Sequence, residues 1–224
     1  MKVAALILTI FLAAVSGAGQ VATAKDETIG KQYRAVMAKA EKMLGTISYR
    51  SVWTKEFFES SSQPGRIRAR AERDILRFDL WRTVEETFQG KPDRNELICV
   101  GKFIYLKSND LRWARFDFEY EPPNASIDAH RATNLHKYIP SVDFQGGKAD
   151  FYEATLVRTE EEFTSEGFVN VKYIRTERSW FTLDGKLLKK LDEATIEGRE
   201  EMIRETTTYE YDPKDLKIEA PAIK

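Results

Sequence analysis

The stretch Ser179-Trp180-Phe181-Thr182-Leu183-Asp184-Gly185-Lys186-Leu187-Leu188-Lys189-Lys190-Leu191 decides the fold. Two alternating apolar/polar runs, Ser179 to Leu183 and Leu187 to Leu191, flank Asp184-Gly185, a dipeptide that supplies the positive φ angles of a tight hairpin turn. A third such run, Phe168 to Arg175, precedes them, and a long polar strand, Glu200 to Tyr211, follows. The spacing predicts an antiparallel meander over Gly167 to Pro221. Pro213, which cannot donate to a ladder, ends the pairing, and a short run, Leu216 to Pro221, closes the chain. A sheet of this kind, wet on one face, needs a cover on the other.

Working back toward the N-terminus, strand signals run almost without pause from Thr46 to Tyr120. Ile47 to Phe58 alternates, with Tyr49, Trp53 and Phe57 on one face. Further runs are Ile67 to Ala71, Leu76 to Trp81, Val84 to Phe88, Leu97 to Val100, Phe103 to Leu106 and Leu111 to Phe118. The turns expected between them include Ser60 to Gly65, Arg73-Asp74, Gly90-Lys91-Pro92, Gly101-Lys102 and Ser108-Asn109-Asp110. So many evenly spaced strands argue for a meander curling into a barrel or half-barrel. Two helices interrupt it. Ile29, Tyr33, Val36, Met37, Ala40 and Leu44 recur at three and four, giving an amphipathic helix over Asp26 to Leu44 stopped by Gly45. After the stiff Pro122-Pro123-Asn124 loop, Ser126 caps an expected lid helix, Ile127 to Ile139, ended by Pro140. A Gly146-Gly147 turn then leads to a strand at Phe151 to Val157 and the acidic run Glu160-Glu161-Glu162.

A chain of 224 residues with this pattern predicts one β-rich domain. Lys2, the apolar run Val3 to Val15 and the small residues ending in Ala22-Thr23-Ala24 match a cleavable secretory signal peptide, expected to be residues 1–24, with a single domain at 25–224. The apolar run is too short to cross a bilayer comfortably. Cys99 is the sole cysteine, so no internal disulfide forms, and no cysteine stands at the cleavage region to carry a lipid anchor. The expected location is the periplasm, free of an anchor. With 35 Lys and Arg against 36 Asp and Glu, no global field attracts nucleic acid.

Catalytic patterns are thin. His130 and His136 are six apart on the expected lid helix and point in different directions, so they make no zinc pair. Gly146-Gly147-Lys148 lacks the spacing and hydroxyl of a phosphate loop, no G-x-S-x-G elbow occurs, and Cys99 lies in an apolar strand as an inert thiol. The expectation is a non-enzyme with no catalytic residue, metal or cofactor, against the alternative of a hydrolase built on paired carboxylates. Alternation in Arg66-Ile67-Arg68-Ala69-Arg70-Ala71-Glu72-Arg73 puts Arg66, Arg68 and Arg70 opposite Ile67, Ala69 and Ala71, as on a solvated strand face or edge; docking to anionic headgroups or an acidic partner is the functional alternative. The aromatic set says more. If Tyr49, Trp53, Phe57, Phe78, Leu80, Val84, Phe88, Tyr105 and Trp113 share one concave face, they carry more ring area than one short helix covers. Either the sheet closes and they are core, or it stays open and they line a ligand pocket.

Three segments carry a family resemblance: Thr46-Ile47-Ser48-Tyr49-Arg50, Leu76-Arg77-Phe78-Asp79-Leu80-Trp81, and Thr206-Thr207-Thr208-Tyr209-Glu210-Tyr211-Asp212-Pro213 continuing to Pro221. With the opening helix and the export signal, the chain resembles the lipoprotein-localisation carrier superfamily of LolA-like and LolB-like proteins and related mycobacterial lipid-binding lipoproteins. The resemblance implies an α+β fold, a curved antiparallel half-barrel with helices over its open side. It further implies a cavity for lipid or lipoprotein acyl chains, exchanged with envelope-membrane donor and acceptor proteins, and it favours the pocket reading of the aromatic set. The chain departs from the family in lacking a lipobox cysteine and in carrying the insertion Pro122 to Pro140. A structural or protein-interaction module of the cell envelope, its core filled by its own side chains, is the other non-enzymatic reading.

Overall fold

A computed structural model describes residues 26–60, 62–117, 133–164 and 167–223. The expected signal peptide and the first half of the expected lid helix, with His130, lie outside them. Helix α1 (Asp26–Leu44) is followed by β1 (Tyr49–Phe58), β2 (Arg66–Arg77), β3 (Leu80–Thr87), β4 (Asp93–Val100), β5 (Phe103–Ser108), β6 (Ala114–Asp117), β7 (Thr133–Phe144), β8 (Gly147–Thr164), β9 (Gly167–Phe181), β10 (Leu187–Ile196) and β11 (Met202–Tyr211). They form one open antiparallel sheet in the order β6-β5-β4-β3-β2-β1-β11-β10-β9-β8-β7. Two meanders therefore meet in the middle, where β1 pairs with β11 from Tyr49 opposite Tyr211 to Phe58 opposite Met202. Every other neighbour in the sheet is also a neighbour in sequence.

The strands are longer than alternation predicts because charged residues inside them find partners across the ladder. Asp74, expected in a turn, is buried in β2 and accepts from Arg50 Nε at 2.7 Å; the turn is Phe78-Asp79 instead. Glu177 and Arg178 likewise carry β9 through the gap between Arg175 and Ser179, since Lys190 Nζ lies 2.8 Å from Glu177 and Glu153 accepts from Arg178 Nε at 2.6 Å. The acidic run at 160–162 lies within β8. Asp184-Gly185 stands in the β9–β10 loop as expected, with Gly185 at φ 95° and the Thr182 N–H donating to the Lys186 carbonyl at 2.8 Å.

One expected element is corrected. Residues 133–139, assigned from sequence to the second half of the lid helix, are strand in β7, which continues through Pro140. The proline is tolerated because β7 is an edge strand and the register shifts between Ile139 and Val142, with Ser141 at φ 55°, so the missing N–H falls at a bulge. The closing run after Pro213 has no ladder over residues 216–223.

The register gives the sheet two distinct faces. On one, α1 packs its stripe of Ile29, Tyr33, Val36, Met37 and Ala40 against Tyr138, Tyr152, Ala154, Phe181, Leu187 and Tyr209, all from β7 to β11 or the start of β10. This is the helix face. Its helix ends where Thr46 Oγ1 donates to the Met43 carbonyl at 3.0 Å. On the opposite face, the chain after β11 crosses beneath β1 to β5. Ser48 Oγ donates to Asp212 at 2.9 Å, Arg50 Nη1 lies 3.1 Å from Asp215, and Ile218 is buried against Ile98 and Tyr105, with Leu76, Leu80, Val100, Phe103 and Trp113 around it. This is the tail face. Its other half, over β8 to β11, is held by a ladder of ion pairs in which Arg178 bridges Glu153 and Glu193 and Arg204 reaches Glu193 at 2.7 Å.

Candidate ligand site on the helix face

Beyond Leu44 none of the described residues covers the helix face, and the strands there present a particular mixture of side chains. β1 directs Tyr49, Ser51 and Trp53 to this face, paired across β11 with Tyr211, Tyr209 and Thr207 and across β2 with Ile75, Arg73 and Ala71. Opposite Lys55, β2 has another alanine, Ala69. Two small side chains beside a tryptophan leave a trough in the surface. The resulting groove of about 590 Å3 is lined by Leu44, Tyr49, Ser51, Trp53, Ala69, Ala71, Arg73, Glu85, Thr87, Thr207 and Tyr209, with Arg70 and Glu86 also at its wall. The size lies within the range of ordinary small-molecule sites.

One end of the groove is walled by Tyr49 and Tyr209, whose ring centroids lie 6.1 Å apart at 51°. Burial pushes the Tyr209 hydroxyl up to about 12, with Tyr49 beside it adding to the rise, and burial raises Tyr49 as well. Both phenols therefore stay protonated at neutral pH. Arg73 pulls against both shifts from close by, and its Nε donates to Thr83 Oγ1 at 3.3 Å.

Past Lys55 the same face becomes charged. A second hollow of about 270 Å3 is lined by Lys55, Leu156, Arg158, Tyr173, Arg175, Asp192, Ala194, Ile203 and Glu205 among others, with Lys55 Nζ 3.1 Å from Glu205. Under α1 the charges are knitted together. The Tyr33 hydroxyl donates to Glu177 and lies 3.1 Å from Ser179 Oγ, while Lys190 Nζ stands 2.8 Å from Glu177 and 3.6 Å from Asp192. Burial alone would raise Glu177, but Lys190 and the Tyr33 hydroxyl hold its carboxyl below the usual range. Burial wins at Asp192 and raises it, although Arg175 lies 3.1 Å away. With each carboxylate already engaged by cations, this cluster is built to anchor the helix rather than to pass protons to a substrate.

Comparisons with known proteins give little beyond a likeness. No family model matches the chain, and no curated protein does. Among solved structures, the chain is similar to one described as an outer membrane lipoprotein-sorting protein domain from Vibrio parahaemolyticus, at 9% identity and a TM-score of 0.26, over 82% of this chain and 93% of that one. It is also similar to a beta-barrel-like protein of a domain of unknown function from Brucella abortus, at 9% identity and a TM-score of 0.22, over 75% of this chain and 98% of that one.

The nine residues expected to share a ligand face do not do so. Tyr49 and Trp53 line the groove. Phe57 lies on the same side of β1 but farther along, beside Ile203 in a separate hollow, with the Arg68 guanidinium 5.2 Å from its ring. Leu80, Val84 and Tyr105 point to the tail face, because they pair in register with Val100, Glu96 and Ile98 on the side that Ile218 covers. Leu80, Tyr105 and Trp113 all pack in that cluster. Phe78 stands in the β2–β3 turn, 63% exposed, and Phe88 lies just past β3, its N–H bonded to the Arg68 carbonyl at 2.8 Å. The basic segment is also redrawn. β2 is an interior strand, and a bulge opposite Lys55 and Glu56 sets Ile67 against Glu56, on the side away from Ala69 and Ala71. Sequence reasoning passed over Ser51, Ala69, Ala71, Arg73, Thr207 and Tyr209 as site residues. The small-residue alternation of Ala69 and Ala71 was the available signal.

Among the described residues no helix is long and apolar enough to cross a membrane, and no group of His, Cys, Asp and Glu is arranged to hold a metal.

Proposed function

We propose that this protein is a non-enzymatic carrier whose helix-face groove holds an acyl chain of a lipid or lipid-modified protein, on a sheet curved as a half-barrel. The observation that carries the reading is the Trp53, Ala69 and Ala71 trough, an open slot of about 590 Å3 with an aromatic floor next to a helix that stops short of it. Each methylene removed from water there contributes about 0.8 kcal/mol, so a chain with ten buried methylenes gains about 8 kcal/mol before ordering costs, which makes micromolar the upper bound on its affinity. With the export signal expected at residues 1–24, the setting would be the periplasm, and the ligand would pass between donor and acceptor proteins of the envelope membranes.

The self-filled reading has one specific observation on its side, and it applies to the opposite face. There Ile218 and its neighbours occupy the apolar surface of β2 to β5, so Leu80, Tyr105 and Trp113 serve as core. The test is to fill the groove without touching that face. Ala71→Trp is expected to abolish uptake of a fluorescent fatty-acid probe while the far-UV spectrum stays native. Unchanged uptake by a folded Ala71→Trp protein would remove the groove as the binding place.

A further inference from the structure

The groove is not uniformly apolar, and the position of its one helix-face cation is informative. Arg73 stands opposite Ser51 on β1 and Thr83 on β3, at the end walled by Tyr49 and Tyr209. Among the described residues no carboxylate lies within ion-pair distance of its guanidinium, whereas the neighbouring arginines are engaged: Arg70 with Glu72 at 3.8 Å, and Arg50 with Asp74 at 2.7 Å. Among the described residues its one hydrogen bond is to Thr83 Oγ1, which uses a single donor of the five a guanidinium carries. The Tyr49 and Tyr209 hydroxyls also make no hydrogen bond among the described residues, although the Tyr49 side chain is buried and Tyr209 is half-buried. An arginine fork and two phenol donors with spare capacity thus converge at one end of a trough floored by Trp53, Ala69 and Ala71.

We propose that the groove selects a long-chain amphiphile with a carboxylate head, which Arg73 receives as a bidentate partner while Tyr49 and Tyr209 donate to its oxygens and the chain runs over Trp53 toward Ala69. This rests on the acyl-chain reading above and narrows it to the chemistry of the head. Charge complementarity carries the choice of a monoanion. Glu85 lines the same groove from the helix face of β3, unpaired with Arg73, and Glu86 stands at the wall with Arg70, so a second negative charge on the ligand would meet carboxylates rather than a further helix-face cation. An arginine also pairs with a planar carboxylate through two parallel hydrogen bonds, the geometry that such a fork favours.

The test compares two probes of equal chain length, a pyrene-labelled hexadecanoic acid and its methyl ester, on the wild-type chain and on Arg73→Gln. Arg73 is exposed, so the substitution leaves the fold in place, which far-UV and thermal-melt controls verify. Wild-type protein is expected to bind the acid about tenfold more tightly than the ester, with the preference weakening as salt is added. In Arg73→Gln the preference falls to about onefold, because affinity for the acid drops about tenfold more than affinity for the ester. Equal binding of acid and ester by the wild type, or a preference that survives in Arg73→Gln, overturns the inference while leaving the groove reading intact. Failure of both probes to bind overturns the groove reading and this inference with it. A lysophosphatidate of the same chain length that binds more tightly than the acid would overturn the assignment of a monoanionic head.

Discussion

Tyr33→Phe isolates the contact that fixes α1 to the sheet. The Tyr33 ring lies in the middle of the buried stripe, 5.5 Å from the Tyr152 ring, and its hydroxyl engages Glu177 and Ser179, the latter fully buried. Phenylalanine keeps the ring and opens no cavity, so the loss is confined to the hydroxyl. A hydrogen bond to a charged group contributes about 1.5–3 kcal/mol, and the carboxylate it leaves behind retains Lys190 at 2.8 Å, which softens the penalty. The expected destabilisation is therefore about 2 kcal/mol. Equilibrium urea unfolding followed by tryptophan fluorescence reads it directly: with a slope of about 2 kcal/mol per molar, the midpoint should fall by about 1 M at unchanged slope. A double-mutant cycle with Glu177→Gln should return a coupling of about 1 kcal/mol or more, since the two residues share one hydrogen bond. A Tyr33→Phe loss below about 0.5 kcal/mol, or a cycle that is additive, would refute the account of how the helix is anchored.

The remaining predictions concern the tail, a turn and pH. Ile218→Ala should destabilise the fold by about 2 kcal/mol, read by thermal or urea unfolding, because the side chain is buried at 8% exposure among Ile98, Tyr105 and their neighbours; a change within 0.5 kcal/mol would mean the tail does not seat there. Gly65→Ala should cost about 1–3 kcal/mol, since a Cβ at that position would come within 2.4 Å of the Phe58 ring, and the paired change Gly65→Ala with Phe58→Leu should recover part of the loss. Because the folded-state value of Glu177 is held below its ordinary 4.5, its contribution is present above that pH and is lost as pH falls through the depressed value, so Glu177→Gln should flatten the acid limb of the stability curve below about pH 4.5. Asp192 acts in the opposite sense. Its raised value means that stability is lost as pH rises through the folded-state value and the buried acid ionises, so Asp192→Asn, which stays neutral, should leave stability at pH 3 nearly unchanged and raise it at neutral pH.

Much of the architecture is legible in local pattern. The helix stripe from Ile29 to Leu44 and the Asp184-Gly185 loop are decided by short-range periodicity and turn chemistry, and the structure has them at those positions. What sequence missed depends on partners far away in the chain. Asp74 and the Glu177-Arg178 pair look like strand ends until Arg50, Lys190 and Glu153 are placed beside them. Pro140 looks like a helix stop until its strand proves to be the sheet edge. The candidate site suffered most, because alternation tells which residues share a face within one strand but not how the faces of successive strands are aligned. The Phe78-Asp79 turn, with the register shift between Ile75 and Arg77, carries Leu80 and Val84 to the side opposite Tyr49 and Trp53. Nor does any local signal reveal that residues after Tyr211 fold back beneath β4 and β5 and cover Leu80, Tyr105 and Trp113 of the expected set.

Native mass spectrometry of the chain purified from the envelope fraction, alongside Ala71→Trp, tests the carrier claim most directly. The account predicts a wild-type adduct with the mass of one acyl-chain ligand, lost on collisional activation and absent from Ala71→Trp. A bare wild-type protein that also fails to take up added long-chain ligand, or an adduct that persists undiminished in Ala71→Trp, would contradict it.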